Sequence, residues 1–132
     1  MTTIYHLGVY QDHTTLQAAG QLLLAFAFLA TGVRNAVWKF RQHVDRMVAY
    51  GVPQARLALL AGLVLQFAGG MALLFDWHRP LGAGLLIAFT ALASAIFHRW
   101  WLIADPLLSH LHLSNLLVNC GVIGGLLLVA AI

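Results

Sequence analysis

Arg34, Gln66, His98, His112, Asn115 and Asn119 carry the chemistry that is hardest to place in this chain, because each stands in or at the edge of a long apolar run. Polar and ionisable groups are expensive in hydrocarbon and need partners there. Helical spacing gathers them into stripes. Thr31, Arg34, Asn35 and Trp38 share one face, as do Gly62, Gln66, Gly69 and Gly70, and Ser94 with His98. Ser109, His112, Asn115 and Asn119 form a fourth stripe, polar for more than two turns.

Few reactions suit this set. There is no Glu, and Asp12, Asp45, Asp76 and Asp105 lie outside the runs or at their ends, so a catalytic carboxylate pair is missing and catalysis by the chain alone is disfavoured. Heme would ask for two neutral His at bilayer depth on facing helices, and His98 and His112 stand near one interface. A metal held by His98, His110 and His112 lacks a Cys or Glu to complete it. The set is better suited to donating hydrogen bonds to a neutral headgroup, such as the carbonyls of a quinone whose tail stays in lipid. A quinone is therefore the candidate ligand, and no other cofactor is indicated. The competing reading is packing: Asn, Gln, Ser and Thr bond neighbouring helices, and small residues such as the Gly121/Gly125 pair let backbones approach.

The elements that must position these groups are membrane spans. Of 132 residues, 61% are hydrophobic and 8% charged, where a soluble domain has about 25% charged. A span needs about 20 mostly apolar residues, and four such runs occur, at about 18–37, 56–75, 80–99 and 112–132. The fold class expected is an all-α, integral membrane four-helix bundle, a single domain over residues 1–132. The first run has no basic segment before it and no small-residue cleavage site after it, and reads as a retained helix. Asp76-Trp77-His78-Arg79 before Pro80 makes a tight hairpin of the second and third runs, and Asp105-Pro106 starts the fourth helix, longer than a span requires, with its first two turns in the headgroup zone or the whole helix tilted. Between the first two runs Phe40, Val44, Met47 and Val48 recur at helical spacing, with Lys39, Arg41, Gln42, Asp45 and Arg46 opposite them. That pattern is a short amphipathic helix on the membrane surface. Cys120 lies in an apolar run and reads as packing.

Arg34, Lys39, Arg41, Arg46 and Arg56 flank the first connection and Arg99 the third, against Arg79 alone on the other side. The positive-inside rule then places the first and third connections in the cytoplasm and both ends outside, in a multi-pass protein of the inner (plasma) membrane. Arg34 lies about a turn deep, Ser94 and Asn119 about two, and Gln66 near the midplane, all in the cytoplasmic half. The opposite half reads as dry, with Gln21 its chief polar exception. The basic residues form no solvated patch, so no nucleic-acid partner is expected. The partners expected are the lipid bilayer and other membrane subunits or a second copy.

Several landmarks occur in order along the chain. Gly32 precedes a basic residue near the end of the first run, Gly51-Val52-Pro53 precedes the second, and Gln66-Phe67-Ala68-Gly69-Gly70 lies within it. Phe97-His98-Arg99-Trp100-Trp101 follows, then Asn119 and Ile123-Gly124-Gly125-Leu126-Leu127. With these the chain resembles the DoxX/DoxD proteins. The resemblance implies a four-helix membrane bundle tied to membrane redox systems, since members occur as subunits of a thiosulfate:quinone oxidoreductase and in oxidative-stress membrane complexes. The chain departs from the pattern at Gln66, where the family usually has Glu, at Val118, where it has Lys before the Asn, and at Arg34, where Lys is common. Without that acid and base, proton-coupled chemistry by this subunit alone is doubtful. The expected function is a small subunit or accessory protein of a membrane redox assembly, quinone-linked. The alternative is a structural or assembly factor with no ligand of its own. A channel or transporter would want a charged pore ring that the spans lack.

Overall fold

The computed structural model describes residues 9–132, so Thr3 and the rest of the first eight residues lie outside the described part. Five α-helices follow one another: α1 (Thr15–Val37), α2 (Phe40–Ala49), α3 (Ala55–Leu74), α4 (Arg79–Phe97) and α5 (Pro106–Ala130), with one 3-10 turn, Trp100–Leu102, before α5. Four are long and apolar enough to cross a membrane, and α2 is the short helix between the first two of them.

Each boundary has a local cause. α1 begins three residues earlier than hydropathy suggests because Thr14 and Gln17 close a capping box: the Gln17 N–H donates to Thr14 Oγ1 (3.1 Å) and the Thr14 N–H to Gln17 Oε1 (2.8 Å). α5 starts where Asp105 Oδ1 accepts from the Leu107 and Leu108 N–H groups, with Pro106 in the first turn. It runs unbroken for 25 residues, about 37 Å, longer than a hydrocarbon core of about 30 Å. The α3–α4 hairpin turns through Asp76 and His78, both in the left-handed region (φ 53° and 44°).

α3 is the hub. A Cβ on Gly69 would come within 2.6 Å of Leu86 on α4, and one on Gly70 within 2.8 Å of Leu29 on α1. Gly82 on α4 meets Ala72 in the same way. These glycines let three helices approach at backbone distance. The expected Gly121/Gly125 pair does not do this within the chain: Gly121 faces open space, and Gly125 makes only ordinary contact with Leu24.

Two clusters fill the bundle. Ala25, Phe28, Leu73, Ala83, Leu86, Leu126 and Val129 form the one toward the α3–α4 hairpin. Met47, Ala55, Leu59 and Leu63 form the other, where α2 folds across the end of α3. Met47 is buried and Val48 exposed, so α2 docks by Phe40, Val44 and Met47. The Arg56 guanidinium lies 5.8 Å from the centre of the Phe40 ring, a second tie between α2 and α3.

Candidate functional site

Beneath α2, all four long helices line a cavity of about 370 Å³. Phe28, Thr31 and Asn35 come from α1, His43 and Arg46 from α2, Gln66 from α3, Thr90 and Phe97 from α4, and Asn119 from α5, with His98 at the end of α4. Gln66 and Thr90 are at least nine-tenths buried. The Gln66 amide nitrogen donates to the Phe28 carbonyl (2.9 Å) and to Thr31 Oγ1 (3.0 Å). Thr31 in turn donates to the Ala27 carbonyl at 2.7 Å. Gln66 Oε1 and Thr90 Oγ1 are buried without a partner. A buried acceptor left in this way costs about 1–3 kcal/mol.

Nearer the mouth, His43 Nε2 lies 3.1 Å from Asn35 Oδ1, and its Nδ1 is buried and unpaired. Burial first, then the charges of Arg46, Lys39 and Arg34, hold the His43 imidazole below its ordinary range. Asn119 Nδ2 donates to Ser94 Oγ (2.9 Å), tying α5 to α4. His98 and His112 meet Nδ1 to Nδ1 at 3.1 Å, a contact in which one ring carries the proton and the other accepts it.

The opposite end holds a second polar cluster, which hydropathy alone marks only by Gln21. Gln21 Nε2 donates to the Leu73 carbonyl (2.9 Å) and to Asp76 Oδ1 (3.1 Å), while His13 Nε2 bonds Gln21 Oε1. The Tyr10 backbone N–H donates to Asp76 Oδ2 (3.1 Å), and its hydroxyl donates to the Leu73 carbonyl (2.7 Å). Arg79 pairs with Asp76 at 2.9 Å and reaches the Ile132 carbonyl at 2.8 Å. Burial pushes the Asp76 carboxyl up. The hydrogen bonds from Gln21, Arg79 and Tyr10, with the charge of His13, outweigh that and hold it below the usual carboxylate range. The Tyr10 phenol is pushed up to about 12, by burial and then by Asp76. This end is therefore not dry. A shallow apolar groove between α1 and α5 runs past Gln21, yet both ends of that amide are already bonded.

Of the residues expected to gather, Gln66, His98 and Asn119 line one cavity, and His112 touches it through His98. Arg34 and Asn115 are exposed and do not line it. His43, Asn35 and Thr90 do line it and were not expected there. The i, i+4 pair Thr31 and Asn35 marks the cavity side of α1, while Arg34, a third of a turn off that line, reaches outward. Among the described residues no three His, Cys, Asp or Glu side chains converge as metal ligands.

A four-span helical bundle with a surface helix over one end and a polar cavity beneath it defines a small polytopic membrane protein. The DoxX family model matches residues 16–99, more than half the chain, and the protein belongs to the DoxX family. The match covers α1 to α4 and stops before α5, which supplies Asn119. No curated protein and no solved structure matches the chain.

Proposed function

We propose that this DoxX protein is a small subunit or accessory of a membrane redox assembly, and that the cavity under α2 receives the polar ring of a lipid-soluble, quinone-type ligand. One observation carries the reading: Gln66 Oε1 and Thr90 Oγ1 are buried without partners on a cavity shared by all four spans. Packing glue would close these groups on each other; a site leaves them for a ligand. A volume of about 370 Å³ falls within the roughly 300–1,000 Å³ of small-molecule pockets. Catalysis by the chain alone is not part of the proposal, since the cavity holds neither a carboxylate nor a metal-ligand set.

The basic residues of the first and third connections belong to the cavity end, so the positive-inside rule orients the cavity toward the cytoplasmic leaflet. Cysteines placed at Gln42 and Leu107 should label from the cytoplasm, and at Thr3 and Trp77 from outside. Labelling of Thr3→Cys only after lysis inverts the orientation and leaves the spans as they are.

The ligand itself is tested by purification in mild detergent followed by solvent extraction. Wild type should carry quinone, and Ala93→Trp, at an α4 position that also lines the cavity, should fill it and lose the quinone while melting at a similar temperature. A second reading, an assembly factor without a ligand, draws on α5: only 11% of its most apolar window is buried, against 28–39% for the other spans, which leaves a wide face for a partner subunit. Wild type free of quinone, with a partner subunit that stays bound to both proteins, would decide for that reading.

A further inference from the structure

Resting on the site just proposed, we infer that its ligand must present a hydroxyl donor at the buried end, so the cavity binds the hydroquinone form in preference to the quinone. The argument begins with which way the Gln66 amide faces. The Phe28 carbonyl can only accept, so the group 2.9 Å from it must be the amide nitrogen. The second amide hydrogen goes to Thr31 Oγ1, whose own proton is directed to the Ala27 carbonyl. Both Gln66 hydrogens are therefore used inside the bundle. What remains is Oε1, an acceptor without a partner.

His43 adds a second acceptor. When Nε2 carries the ring proton and donates to Asn35 Oδ1, its neighbour at 3.1 Å, Nδ1 is the acceptor, buried and unpaired. Thr90 Oγ1 serves as donor or acceptor. Arg46, the one cation lining the cavity among the described residues, stands on α2 at the mouth. Gln66 lies about 16 Å along α3 from Ala55, well inside. The buried end of the cavity is thus set by the Gln66 acceptor beside Thr90, while the rim carries the Arg46 donor and His43.

A quinone offers only carbonyl oxygens. At the rim these suit Arg46, but at depth a carbonyl would face Gln66 Oε1 lone pair to lone pair, and the amide cannot turn without opposing the Phe28 carbonyl. A hydroquinone donates to Gln66 through one hydroxyl, and its oxygens still accept at the rim. Leaving a buried polar group unpaired is what makes a site reject an analogue that lacks the matching hydrogen. The donor-to-carbonyl pairing expected from His98 and Asn119 is reduced, because one of the two Asn119 amide hydrogens is directed to Ser94 and His98 Nδ1 meets His112.

The test titrates the detergent-purified full chain with tetramethylhydroquinone under reducing conditions, tetramethylquinone, and the dimethyl ether of the hydroquinone, following tryptophan fluorescence. The expected result is a dissociation constant for the hydroquinone at least tenfold below those of the other two. In Gln66→Leu the three should fall within about threefold of one another. Thr90→Val, which leaves the Gln66 bonds alone, should weaken the hydroquinone and spare the ether. The three-probe comparison on wild type needs no variant to fold. Equal affinities, or a tighter quinone, overturn the donor requirement and leave the ligand site standing. If none of the three binds, the site proposal fails together with this one.

Discussion

The two ends of the bundle bury polar groups in comparable number and use them differently. At the Asp76 end, Tyr10, His13, Gln21, Asp76 and Arg79 bond to one another, and Gln21, the one of them beside the α1/α5 groove, has both ends of its amide bonded within the chain. At the α2 end, Gln66, Thr90 and His43 each keep an unpaired atom beside open volume. The Asp76 end is not perfectly satisfied, since His13 Nδ1 and Arg79 Nε lack partners, but neither residue lines the groove that runs past Gln21. A buried polar residue is thus weak evidence of function by itself. Its unpaired atom next to empty space is the better sign.

The contrast is broken most severely by Asp76→Ala. Removing the carboxylate strands Arg79, Gln21 and the Tyr10 N–H, a half-buried set, and each buried group left unpaired costs about 1–3 kcal/mol. Thermal unfolding in detergent should show the largest drop of any polar substitution in the chain; a change below about 1 kcal/mol would mean that solvent already serves these groups. Gly69→Ala comes next, because its Cβ would sit 2.6 Å from Leu86 and overpacking costs about 1–3 kcal/mol. Measured the same way, an unchanged melt would mean that α3 and α4 separate at little cost.

Gln66→Leu should cost less, about 1 kcal/mol, since Thr31 still donates to the Ala27 carbonyl. A loss as large as that of Asp76→Ala would make Gln66 a structural residue and erase the difference between the two ends. The smallest effect concerns His43. Its folded-state affinity for protons is depressed by burial and by Arg46, Lys39 and Arg34. The unfolded chain therefore takes up the proton first as pH falls below about 6.5, and stability declines from there toward the folded value. Melts recorded from pH 7.5 to 5 should show a shallow decline that His43→Phe removes.

The spans, the surface helix and the hairpin are legible in the sequence because hydropathy, period and capping signals are local. Gln66 is legible too, being an amide amid glycines on one helical face. The Asp76 network is not. Tyr10 and His13 sit in a short polar stretch that reads as a tail, and their partners lie 63 to 66 residues away or across a helix start. Its only local trace is Asp76 followed three residues later by Arg79. Arg34 and Asn115 are outside the cavity for a similar reason: a stripe at three- and four-residue spacing is broad enough to wrap from the interior to the lipid side, and only packing decides which edge turns in. The register of α2, which brings His43 over the cavity, depends on docking by Met47 and could not be read from its amphipathic pattern.

Cys120 illustrates how much the orientation of one helix decides. It is the single thiol of the chain, and it is exposed on α5 beside Asn119, within a candidate span, where it faces lipid or a partner helix and not bulk water. Maleimides and other water-borne alkylating agents act from the aqueous phase and reach thiols there. The natural sequence should therefore behave as its own cysteine-free background in topology mapping, with no substitution needed first. A small lipid-soluble spin label or fluorophore, by contrast, would find one addressable position, on the outer wall of the helix that carries Asn119.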